Sequence, residues 1–178
     1  MTTHQFWRAQ SFSSIITYSF NRGAKLDALL HAANQQFAEG RKELLTAPIE
    51  LLSTMRENLR SLERGRNLTL LPLTEELKTF QITASPVAKI AAETPEAECL
   101  AAILAASVSE QDHLMCAPVY RDALAFYDGQ DNLCGVLNIC FGCDKMITHQ
   151  QREVTAGTAT YQELKQFMTG LGHVISEK

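Results

Sequence analysis

The sequence predicts an α+β fold, a small antiparallel sheet built around a β-hairpin in the C-terminal half and packed against several helices. Three observations carry this reading. Residues 114–127 and 133–141 contain the apolar, β-prone runs ALAFY and LCGVLNICF around a five-residue loop dense in turn formers, Asp128-Gly129-Gln130-Asp131-Asn132. Segments of helical periodicity stand both before and after that hairpin. A late hairpin flanked by helices departs from the regular alternation of a parallel α/β chain.

The elements follow in order. Ser14-Ile15-Ile16-Thr17-Tyr18-Ser19-Phe20 is rich in β-branched and aromatic residues and reads as a strand, closed by the turn Asn21-Arg22-Gly23. Residues 24–38 are good helix formers, with Leu26, Leu29, Leu30, Ala33 and Phe37 at helical spacing and Gly40 as the expected stop. A second helix is expected over 47–64, with Thr46 as N-cap, Pro48 in the first turn and Gly65 past the end. Ile49, Leu52, Met55, Leu59 and Leu62 form its apolar stripe. Leu68 to Leu71 could add a short strand, and Thr74-Glu75-Glu76 could cap a short helix. Thr94-Pro95-Glu96 opens a helix over 94–108 whose run CLAAILAASV is apolar all round, which predicts a central, buried position. Thr160 and Glu163 match a capping box for a last helix over 160–171, ended by Gly172.

Composition narrows the class. The chain has 178 residues, 46% hydrophobic and 20% charged, with a net charge of −4. These values exclude a disordered chain, and no apolar run reaches the ~18 residues that span a bilayer. One domain over 1–178 is expected, helix-rich to residue 110, then the hairpin 114–141, then the last helix. Five cysteines is an odd number and a low density for a disulfide scaffold, which points to a reducing cytoplasm. Residues 1–90 carry 11 basic and 8 acidic side chains, against 5 and 12 in 91–178. Arg56, Arg60, Arg64 and Arg66 make a ridge on the 47–64 helix, but Glu57 and Glu63 dilute it. A solvated flank is expected there rather than a nucleic-acid contact.

The chemistry-bearing cluster is Cys140-Phe141-Gly142-Cys143, with Cys116 on the facing strand. Pairing Tyr127 with Leu133 sets Tyr120 against Cys140 and Asp122 against Asn138, gathering Cys116, Cys140 and Cys143 at the open end of the hairpin. One residue of slip changes which residues meet. Three readings compete: buried apolar packing, a zinc site in which Cys116, Cys140 and Cys143 take His113 or His149 as a fourth ligand, and thiol redox. The local order of NICFGCDKMI, a strand, C-x-x-C and then an expected helix, is similar to that of thioredoxins. The rest of the chain departs from that family, since a hairpin precedes the motif and no Pro follows Cys143.

Asp122 and Asn138 are expected to hydrogen-bond across the hairpin, with a catalytic or binding carboxylate at Asp122 as the alternative, and His173 is expected to satisfy carbonyls at the end of the last helix. No serine-hydrolase, phosphate-loop or dinucleotide motif occurs. The expected function is therefore a small soluble non-enzymatic binding or interaction protein, with protein a candidate partner. The alternative is a cysteine-centred site at the C-x-x-C, holding structural zinc or acting in thiol redox.

Overall fold

The computed structural model describes residues 1–66, 72–74, 76–106 and 116–175, and shows an α+β fold. Among the described residues the elements are α1 (Thr3–Arg8), β1 (Ser14–Ser19), α2 (Gly23–Thr46), α3 (Leu52–Arg66), β2 (Ser85–Ala91), α4 (Pro95–Ala105), β3 (Asp122–Tyr127), β4 (Leu133–Cys140), β5 (Lys145–Thr148), β6 (Glu153–Val154) and α5 (Thr158–Gly170). The six strands form one antiparallel sheet in the order β2-β1-β3-β4-β5-β6. The strand and helix suggested at 68–71 and 74–76 involve residues outside the described set.

The sheet has two apolar faces because its central strands are buried on both sides. Ile15, Leu124, Phe126, Leu137 and Ile139 point to one face, where α1, α4 and α5 cover them through Phe6, Leu100, Leu104, Leu164 and Met168. Tyr18, Ala123, Ala125, Val136 and Cys140 point to the other, covered in part by Leu73 and Leu77. The all-round apolar helix is α4. It is buried through Ala97, Leu100, Ile103 and Leu104, while Cys99 and Ala102 stay exposed, so it lies on one face of the sheet and not at the centre. Its alanines are small enough to face water at little cost. The expected cap is present, with Thr94 accepting from Ala97 N and Pro95 in the first turn.

The two earlier helices depart from expectation. Gly40 does not stop α2, which runs about 36 Å to Thr46. A Cβ at Gly40 would stand 3.0 Å from Leu59 Cδ2, so the glycine serves the close approach of α3. Thr46 ends α2 instead of capping the next helix, and a single 3-10 turn, Ile49–Leu51, leads into α3. Helix α3 passes through Gly65 to Arg66. Helices α2 and α3 make their substantial contacts with each other and not with the sheet. They form a projecting hairpin whose tip exposes Leu45 and Ile49.

Helix α5 begins at Thr158 with Gly157 as N-cap, so Thr160 is a buried first-turn residue and not the expected cap. Its other end is a Schellman turn. Gly172, at φ +103°, donates to Thr169 O, and His173 N donates to Met168 O.

The expected pairing of Tyr127 with Leu133 is present, and the loop between them is held by Asp128, whose carboxylate accepts from Gln130 N, Asn132 N and Asn132 Nδ2. Those bonds hold the Asp128 carboxyl below its usual range. Beyond that pair the register slips by one, because Cys134 is a bulge residue and Phe126 pairs with Gly135. The Cys134 thiol donates to Phe126 O at 3.1 Å. Asp122 therefore pairs with Ile139 and lies on the helix-covered face, away from Asn138. The expected Asp122–Asn138 bond does not form. Asn138 instead accepts from Leu73 N at 2.7 Å on the opposite face.

Candidate functional site

The first turn of α2, the chain entering β3 and the turn from β4 to β5 surround a cleft of about 810 Å³. That volume is in the range of small-molecule sites. Cys116, Cys140 and Cys143 all line it, with Val119, Phe141 and Ile175 among its apolar walls. Cys116 and Cys143 are joined in a disulfide with Cα atoms 5.9 Å apart, an ordinary separation for such a bond. Cys140 is a free, buried thiol. The C-x-x-C is thus one half of two possible pairings. Its second cysteine pairs across to Cys116 and not to Cys140, because the turn places Cys143 against residues 116–117, where both sulfurs lie near Ala117 O.

A strand, β5, follows the C-x-x-C directly, with Asp144 in the left-handed region at φ +48°. The helix expected there is absent, so the C-x-x-C does not open a helix as it does in thioredoxins. With Cys116 and Cys143 bonded to one another, neither is a thiolate open to a metal. Among the described residues no three His, Cys, Asp or Glu side chains are grouped to hold one. His113 lies outside the described residues. His149 follows Thr148, which pairs with Leu137, while Lys145 pairs with Cys140. His149 is therefore roughly 13 Å along the sheet from Cys140. The other thiols stand apart: Cys99 is exposed on α4, and burial pushes the Cys134 thiol up. Burial also drives Tyr120 up to about 12, which keeps its phenol neutral.

One wall of the cleft rests on a buried polar network that the hairpin register hid. Arg22 pairs with Asp122 Oδ2. Asp122 Oδ1 lies 2.7 Å from His173 Nδ1, and His173 Nε2 lies 2.8 Å from Thr17 Oγ1. Asp122, His173 and Thr17 are all at least 97% buried. Thr17 Oγ1 also accepts from Ala88 N, a donor turned toward it by the bulge in β2 beside Thr17. The ionised Asp122 can only accept, so Nδ1 of His173 donates to it. With Nδ1 donating, Nε2 is left to accept the Thr17 hydroxyl, while Arg22 Nε is buried without a hydrogen-bond partner among the described residues. Arg22 also donates to Arg121 O and Val174 O, tying the start of α2 to β3 and to the chain beyond α5. This set has the residue types of a nucleophile triad. Its hydroxyl is fully buried, with no access for a substrate, so the network is a structural lock. The sequence signals for it were Asp122 within the apolar hairpin and His173 directly after Gly172, where the expected role at the carbonyls falls to the His173 backbone N–H and the ring is free to reach Asp122.

The arginine ridge is solvated as far as it is described. Arg60 pairs with Glu57 at 3.5 Å, both side chains exposed, and Arg56 is exposed. His149 carries a distinct consequence. Its Nδ1 is buried without a hydrogen-bond partner among the described residues, and burial holds its pKa below the usual 6.5. A histidine depressed on folding binds fewer protons folded than unfolded near that pH, so its contribution is complete above about 6.5 and falls away as pH drops below it. Urea midpoints measured between pH 7.5 and 5.5 are expected to fall less in His149→Gln than in the parent; equal falls contradict this reading.

No protein-family model, no curated protein and no solved structure matches this chain.

Proposed function

We propose that the chain is a non-enzymatic binding protein whose ligand cleft is redox-gated by the Cys116–Cys143 pair. The observation that carries this is the position of that bond, on the rim of a small-molecule-sized cleft beside a third thiol, Cys140. The disulfide joins the chain entering β3 to the β4–β5 turn, and so fixes two walls of the cleft against each other. Reduction by cellular thiols takes two electrons and two protons, yields two protein thiols and frees those walls to part. In a reducing cytoplasm a disulfide of this kind is a transient, sensing bond and not a permanent staple.

The test is equilibration in dithiothreitol buffers of graded potential, followed by alkylation and peptide mapping. The expected result is reversible opening of Cys116–Cys143 at about −180 to −300 mV, with faster amide exchange in 116–121 and 140–143 on reduction. A potential well below about −300 mV, or unchanged exchange, overturns the gate. The zinc alternative is read in the same reduced protein, where about one bound zinc per chain would assign Cys116, Cys140 and Cys143 to a metal.

A further inference from the structure

The cleft carries two charged side chains that the fold leaves unused. Arg121 and Asp27 both line it, both are exposed, and neither forms an ion pair with the described residues. The other cleft charges, Arg22 and Asp122, are consumed by each other and by the lock. The free pair is of opposite sign. Beside it, the disulfide is open on one side, since Cys116 is half-buried while Cys143 is 3% exposed.

We infer that the redox partner of this cleft is a small zwitterionic peptide thiol, whose carboxylate is held by Arg121 and whose ammonium is held by Asp27 while its sulfur attacks Cys116. This rests on the redox gate proposed above and names its substrate class. A neutral thiol would leave both charges unused. A dianion would meet Asp27, and a dication Arg121. A peptide thiol with both an amino and a carboxylate end complements the two together, and its size suits a cleft of about 810 Å³.

The step balances with two equivalents. The thiolate of the peptide attacks Cys116 Sγ, the accessible sulfur. The Cys116–Cys143 bond breaks, and Cys143 leaves as a thiolate that takes up a proton. The peptide is then bound to Cys116 as a mixed disulfide. A second peptide thiolate attacks the peptide sulfur of that bond, releases the symmetrical peptide disulfide and leaves Cys116 as a thiol. The protein gains two electrons and two protons, and two peptide thiols are oxidised to one disulfide.

Glutathione is the probe, and 2-mercaptoethanol, a neutral monothiol, is the control. The oxidised full chain is mixed with each, and the appearance of the Cys143 thiol is followed by quenched alkylation and mass mapping. The first adduct with glutathione is expected on Cys116. Arg121→Gln and Asp27→Asn are each expected to slow glutathione about two- to fivefold and leave 2-mercaptoethanol unchanged, with the difference fading at high salt. Both positions are exposed, so the fold tolerates the changes. Equal effects on both thiols, no effect on either, or a first adduct on Cys143 or Cys140 overturns the assignment while the gate stands. A bond that yields to neither thiol nor to dithiothreitol overturns the gate as well.

Discussion

Asp122→Ala is expected to cost about 3–5 kcal/mol, because it strands Arg22 and the fully buried His173 without their shared partner. That is a large share of a typical domain's 5–15 kcal/mol. The cost is desolvation left uncompensated, not the worth of one contact. Urea denaturation at pH 7 measures it directly. Asp122→Asn keeps the volume but loses the charge that faces Arg22, and is expected to cost less than alanine. A double-mutant cycle supplies the second check. His173→Leu should cost much less in the Asp122→Ala background than alone, since the ring has already lost its Nδ1 acceptor. Additive losses, or an Asp122→Ala cost below about 1 kcal/mol, would show that the buried lock does not hold the start of α2 to β3 and the chain beyond α5.

Phe126→Ala has an effect of similar size from a different cause. Phe126 is fully buried in β3 at the centre of an edge-to-face cluster, with ring centroids 5.6 Å from Phe6, 6.0 Å from Trp7 and 5.3 Å from Phe12. Removing the ring forfeits its transfer energy and leaves a cavity that the rigid β1–β3–β4 sheet cannot close, about 3–5 kcal/mol together. Each lost aromatic pair adds to that. Trp7 is the chain's one tryptophan, so its fluorescence reports the loosening of α1 in the same titration. A loss below about 1 kcal/mol, with unchanged Trp7 emission, would contradict the packing. Phe126 packs in the helix-covered core and does not line the cysteine cleft, so thiol exchange at Cys116 should survive in the fraction that remains folded. That contrast separates a core defect from a site defect.

Much of the local architecture was legible where a residue type has one conformational use. β-branched and aromatic side chains marked β1. Thr94 before Pro95 marked the start of α4, the Asp128–Asn132 run marked the hairpin loop, and Gly172 marked the end of α5. Cys116, Cys140 and Cys143 do line one cleft, but not through the strand alternation expected over 114–127: β3 begins only at Asp122, so Cys116 lies in the chain entering it, Cys143 lies in the β4–β5 turn, and Cys140 alone of the three is on a strand. Strands β5 and β6, four and two residues long, were not legible, since so short and polar a segment has no period to read. Helix α1, six residues, was missed for the same reason. The cap at its start, Thr2 with Gln5, is a recognisable signal that was there to find.

Other features belong to the assembled chain. The bulge at Cys134 exists because the β3–β4 pair must match both the loop and the two buried faces, and no local preference of Cys134 announces it. That single extra residue moved Asp122 from one face of the sheet to the other, and with it the whole lock. Gly40 has the same sequence character as a helix stop; only the nearness of Leu59 makes it a packing residue. Which two of three cysteines join depends on where residues 116–117 lie relative to the β4–β5 turn. Asp122 and His173 lie 51 residues apart, and Thr17 and His173 lie 156 apart. Propensity and periodicity act over a turn or a strand, so they reach the elements. Pairing across such separations is decided by burial, which selects the one register and packing that leaves these polar groups satisfied.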